Sequence, residues 1–127
     1  MPNTDRLTLS RLRSLKQQRE QRQRTALSVL AQQEIELQDR ITQLTEQRYQ
    51  LWNQWRECSA TSQVLDHLAL QELKIELAQY HHQTHLIADQ LETLHTEQHR
   101  VHREQSEGQR QLRQLLVAQE KLNWLLE

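Results

Sequence analysis

LQELKIELAQYHHQTHLIADQLETLHTEQHRVHREQSEGQRQLRQLLVAQEKLNWLL, residues 70–126, decides the fold. Positions 73, 80, 87, 94, 101, 108, 115 and 122 read Leu, Tyr, Ile, Leu, Val, Gly, Leu and Leu, a strict seven-residue step. Interleaved positions 70, 77, 84, 91, 98, 105, 112, 119 and 126 read Leu, Leu, Thr, Leu, Gln, Gln, Leu, Gln and Leu. Alternating steps of three and four are the signature of a coiled coil, because they keep one stripe of a helix against a partner. The first half repeats the spacing at Leu30, Leu37, Leu44 and Leu51, flanked by Leu27, Ile41 and Trp55. Toward the N-terminus the stripe slips in phase to Leu9, Leu12 and Leu15, and Lys16–Thr25 has no apolar residue.

Composition agrees with two long helices. Of 127 residues only Gly108 and Pro2 are helix breakers, phenylalanine is absent and glutamine fills 22 positions. A compact globule needs turn residues at short intervals, and glycine and proline usually supply them. Gln, Glu, Arg, Leu and Ala favour helix. At 35% apolar residues the chain can bury one stripe per helix but no thick core.

Facing residues of an antiparallel hairpin have a constant sum. A sum of 124 sets Leu9 against Leu115, Leu12 against Leu112, Leu30 against Leu94, Leu37 against Ile87, Leu44 against Tyr80 and Leu51 against Leu73. It also lays the polar stretch Lys16–Thr25 on His99–Gly108, with Gly108 opposite Lys16. This predicts an all-α fold: a long antiparallel two-helix coiled-coil hairpin forming a single domain over 1–127. Helix 1 runs over about 5–57, the turn over about 58–64 and helix 2 over about 65–127, with each helix roughly 75–90 Å long. The turn falls near residue 62 in Cys58-Ser59-Ala60-Thr61-Ser62, where Ser and Thr compete for helical hydrogen bonds and make good N-caps. A straight parallel dimer is the alternative, and it would leave the two complementary stripes accidental. The polar layer predicts a flexible or specificity-setting segment, since glycine inside a helix costs ~1 kcal/mol relative to alanine.

The hairpin leaves residues over. Leu116, Val117, Trp124 and Leu125 lie off the seam, and a helix that is apolar all round is a covered helix. They point to a partner, to self-association, or to apolar ends stabilising one another. Leu7, Leu9, Leu12 and Leu15 lie beside them, among arginines. Residues 1–24 carry seven basic groups against Asp5 and Glu20, a net of +5 in a chain whose net charge is −1, so this end suits an acidic partner. Arg11 and Arg13 are the arginines set between the leucines. Tyr49, Trp52 and Trp55 gather near the turn, and aromatic side chains are frequent binding anchors. Trp55 falls on the seam with Tyr49 beside it, so packing accounts for part of this group.

Other chemistry finds no support. All seven histidines lie in the second half, and His81/His85 and His95/His99 have a spacing that can share a metal. No further ligands accompany them, so they read as solvated. No glycine-rich phosphate loop exists, the lone Cys58 has no pocket, and a two-helix hairpin offers no cleft. The reading is therefore no catalytic, cofactor or metal site. Nucleic-acid binding through the basic start is disfavoured by Leu9, Leu12 and Leu15 interrupting the arginines. A lipid-surface binder would want a broad apolar face with flanking lysines. No apolar run approaches the ~18 residues of a membrane span. With one cysteine and no apolar signal-peptide core, the chain reads as cytoplasmic.

Three stretches carry a family resemblance: LTLSRLRSLKQQREQRQRTAL at 7–27, RYQLWNQWRE at 48–57 and QEKLNWLLE at 119–127. Together with the helical arrangement they resemble the central-stalk proteins of type III secretion systems, the YscO/HrpO/FliJ (SctO-like) type. The resemblance implies a stalk without enzymatic activity, cytoplasmic and peripherally associated with a membrane-embedded secretion apparatus. The hairpin termini would enter the pore of the secretion ATPase hexamer, and the region nearer the turn would contact the export gate protein and, in some members, secretion chaperones. On that comparison Leu9, Arg11, Leu12, Arg13, Leu116, Val117, Trp124 and Leu125 fall at the ATPase end. Tyr49, Trp52 and Trp55 fall at the gate and chaperone end. Flagellar members carry spaced tyrosines on the first helix as gate contacts, and this sequence has only Tyr49 there. The rival reading is a homo-oligomerising coiled-coil scaffold or tether, self-associating through the apolar C-terminus.

Overall fold

The computed structural model describes residues 3–60 and 66–127. They form two helices, α1 (Asn3–Ala60) and α2 (His67–Leu126), packed against each other as an all-α helical hairpin with no strand among the described residues. Helix α1 continues through residues 58–60, where the turn was expected, and residues 61–65, which include the expected turn centre, lie outside the described residues. The N-cap of α2 is Asp66, whose Oδ1 accepts the Ala69 backbone N–H at 2.7 Å, while its carbonyl accepts the Leu70 N–H. This is the usual capping geometry, in which a short side-chain oxygen satisfies an N–H that has no partner within the helix.

The chain falls into two compact units: unit 1, residues 1–35 with 99–127, and unit 2, residues 36–98. In unit 2 the core is Ile41, Leu44, Ile87 and Leu91, with Leu51 and Leu94 packed on it. Trp55 stacks on Tyr80 at 5.5 Å between centroids, and Gln98 Nε2 donates to Gln38 Oε1 at 3.1 Å. These partners have residue numbers adding to 135 and 136. The same register puts Leu44 against Leu91 and Ile41 against Leu94, not Leu44 against Tyr80. In unit 1 the Gln119 Nε2 donates to the Lys16 carbonyl at 3.2 Å, Gly108 packs on Leu27, and Arg13 Nη1 donates to Asn123 Oδ1 at 3.5 Å. Those pairs again add to 135 or 136.

The expected sum of 124 is therefore wrong by eleven residues. Eleven residues make three helical turns plus about 20°. A slip of that length keeps the same stripes facing each other and changes only which layers meet, so the stripe could be read without the register. Leu9 faces Leu126, while Leu115 and Leu112 face Glu20 and Gln23. The polar stretch Lys16–Thr25 meets residues 110–119, not His99–Gly108. Apart from Leu9 on Leu126, like does not pair with like in unit 1: Leu30 comes opposite Gln105, and Glu34 opposite Val101, which is fully buried. Glu34 is half-buried, accepts from Gln105 Nε2 at 2.7 Å and lies 3.2 Å from His102 Nε2.

Two consequences follow at the chain ends of the helices. In unit 2 the end of α1 comes level with Ile75, so the first two turns of α2 extend about 12 Å past it. Leu70, a stripe residue, is exposed there, as is Leu68. In unit 1 the first residues of α1 lie beyond the end of α2, which leaves Leu7 exposed.

The polar layer of unit 1, expected to be a flexible or specificity-setting segment, carries hydrogen bonds between the two helices. Besides the Lys16 carbonyl, Gln119 Nε2 reaches Glu20 Oε2 at 3.4 Å, and Gln23 Nε2 donates to the Gly108 carbonyl at 3.1 Å. Gly108 leaves room for the Leu27 and Gln23 side-chain ends to approach its backbone. A Cβ there would stand 2.8 Å from Leu27 Cδ2 and 2.9 Å from Gln23 Nε2.

Candidate interaction surfaces

Each unit has a seam that covers most of its inward stripe and leaves apolar residues on its outer faces exposed. In unit 1 the expected partner-binding residues separate into two groups. Leu9 is half-buried in the seam and Arg13 is tied to Asn123, so both serve the hairpin. Arg11, Leu12, Leu116, Val117, Trp124 and Leu125 are exposed, Trp124 to 76%. The outer side of α2 supports the last group with basic residues that sequence reading had not assigned to it. Arg110, Arg113 and Lys121 surround Val117 and Ala118 in a shallow groove. Spacings of three, four and seven on one helix give this outcome, and tracing the stripe opposite the seam would have found it.

Unit 1 carries twelve basic and seven acidic groups, a net of +5. Several acids are already engaged within the unit. Glu20 pairs with Arg24, Glu104 with Arg100 and Glu107 with Arg110, and Glu34 meets His102. The Glu107 carboxyl is held below the ordinary glutamate value chiefly by its hydrogen bond from Arg110, and Arg110 is raised in turn by the hydrogen bond to Glu107. Arg6, Arg11, Arg19, Arg22, Arg103 and Arg113 make no ion pair among the described residues and project the excess charge outward.

Unit 2 has the opposite balance: four basic against ten acidic groups, a net of −6. Its aromatic group divides. Trp55 is half-buried on Tyr80, as its seam position predicts. Tyr49 and Trp52 face solvent, 57% and 45% exposed, with ring centroids 6.2 Å apart, and the Arg56 guanidinium lies 5.3 Å from the Trp52 ring. Tyr49 therefore belongs with Trp52, not with the seam. Arg56 was missed because its i, i+4 relation to Trp52 matters only once Trp52 is known to point outward. A groove of about 420 Å³ runs beside the seam of this unit, with Leu51, Leu86 and Ile87 rimmed by five glutamines, Gln47 and Gln90 among them.

Among the described residues no group of three or more His, Cys, Asp or Glu side chains could hold a metal ion. His85 makes an exposed contact with Asp89 at 3.5 Å, and the His81 ring lies edge-on to Tyr80. Both grooves are open to solvent. No described helix is long and apolar enough to cross a membrane. No family model, no curated protein and no solved structure matches the chain.

Proposed function

We propose that the chain is a non-enzymatic coupling protein, a stalk of a type III secretion apparatus that joins the secretion ATPase ring to the export gate. The observation that carries this reading is the segregation of chemistry between the units. One unit is basic with exposed Leu12, Leu116, Val117, Trp124 and Leu125, and the other is acidic with exposed Tyr49 and Trp52. Two unlike surfaces suit two unlike partners. Unit 1 would enter the ring, its apolar residues covered and its free arginines meeting acidic groups of the pore. Unit 2 would present Tyr49 and Trp52 to the gate or to a secretion chaperone. Coupling is mechanical: the chain hydrolyses nothing, and ring turnover biases it against the gate.

The test is to mix the full chain with the cognate secretion ATPase and measure ring assembly and ATP turnover. Binding with increased turnover supports the proposal, and absence of both overturns it. The rival, a scaffold tied together through Leu116, Val117, Trp124 and Leu125, requires a stable oligomer at low concentration regardless of salt.

A further inference from the structure

The two units of one chain are electrostatic complements, +5 and −6, and each has apolar residues that its own seam does not cover. We infer that the chain pairs with a second copy of itself, the basic unit 1 of each copy lying on the acidic unit 2 of the other. Three observations favour this occupant. Unit 1 projects Arg6, Arg11, Arg19 and Arg22, which make no internal ion pair among the described residues, and unit 2 carries exposed Asp39, Glu72, Glu76 and Glu92, which likewise make none. Leu12, Leu15 and Val117 in the first unit and Leu68, Ile75 and Leu86 in the second are exposed, so apolar area is available to the contact as well as charge. Pairing of like units sets +5 against +5 or −6 against −6 and is opposed by repulsion. An exchange of unlike units sets +5 against −6 at each contact, and a two-fold axis, the commonest closed symmetry of homo-oligomers, makes the two contacts equivalent.

The pairing is held by exposed charges, so it is salt-labile. It goes beyond the stalk reading: a pair of this kind covers the basic unit until a stronger partner displaces the second copy. It also differs from an apolar scaffold, whose association does not weaken with salt.

The experiment is sedimentation equilibrium of the full chain without any partner. In about 0.01 M salt, where screening reaches ~30 Å, the mass should be that of a dimer, and in about 1 M salt, where it reaches ~3 Å, that of a monomer. Two charge-reversed chains provide the control for fold and for mode of pairing. One carries Arg6→Glu, Arg11→Glu, Arg19→Glu and Arg22→Glu, and the other Asp39→Lys, Glu72→Lys, Glu76→Lys and Glu92→Lys. All eight positions are exposed, so helicity by circular dichroism should be unchanged. The first chain is then acidic in both units and the second basic in both. Each alone should be monomeric at low salt, and an equimolar mixture should form a one-to-one heterodimer. A wild-type chain monomeric at every salt concentration, a dimer that persists in high salt, or a mixture that stays monomeric would each overturn the inference. Because no ATPase is present, these outcomes are independent of the ring-binding test.

Discussion

Truncating Leu44 and Leu91 together measures the register of the hairpin. Leu44 is 4% exposed in a core of four buried residues, so Leu44→Ala removes nearly all of a leucine's burial. Such truncations cost ~2–5 kcal/mol. A two-helix seam has solvent on both flanks and can close over the gap, so about 2–3 kcal/mol is expected here, and the same for Leu91→Ala. Because the two side chains meet across the seam, the second truncation should be cheaper in the background of the first. Their coupling should be about 0.5 kcal/mol or more. Tyr80, which like-with-like pairing would set against Leu44, lies eleven residues from Leu91 along α2, about 16 Å away. Leu44→Ala and Tyr80→Ala should therefore add within ~0.5 kcal/mol. Urea unfolding followed by circular dichroism and by tryptophan fluorescence supplies the energies, provided the two probes coincide. Coupling between Leu44 and Tyr80, with none between Leu44 and Leu91, would refute the reasoning and restore the shorter register.

Further outcomes are expected. Asp66→Ala should lower stability by ~0.5–2 kcal/mol through loss of the cap on α2, read by urea denaturation, whereas Asp66→Asn should retain most of it. Trp55→Ala should cost ~3 kcal/mol or more by unstacking Tyr80, while Trp52→Ala and Trp124→Ala should each stay within ~0.5 kcal/mol by thermal melting. The Glu34 carboxyl is held low first by its hydrogen bond from Gln105 and then by His102. A depressed carboxyl contributes stability that is present above its unfolded value and is lost as pH falls through its folded value. Wild type should accordingly lose stability below the ordinary value of 4.5 more steeply than Glu34→Ala, and parallel acid limbs in urea titrations would show that Glu34 contributes nothing.

The inward stripes were readable in the sequence because helical period alone determines them. Leu44, Ile87, Val101, Gly108 and Leu122 all turn inward as the seven-residue step requires. The register was not readable, because a slip of eleven residues returns each stripe to within about 20° of the same facing. Matching leucine to leucine was a poor guide to the correct layer. Glutamine and glutamate stems can pack on leucine and valine while their polar ends bond elsewhere, as Gln119 does with Lys16 and Glu34 does with Gln105. The exposed basic groove around Val117 was implicit in the same periodicity. The outward direction of Tyr49 follows from helical period and not from register, and the role of Arg56 needed its guanidinium placed over the Trp52 ring.

The central claim, two unlike surfaces for two partners, is tested most directly by hydrogen exchange of the full chain with and without the secretion ATPase ring. The account predicts slowed exchange over 3–35 and 99–127, with no change around Tyr49 and Trp52. Protection centred on residues 36–98, or none anywhere, would contradict it.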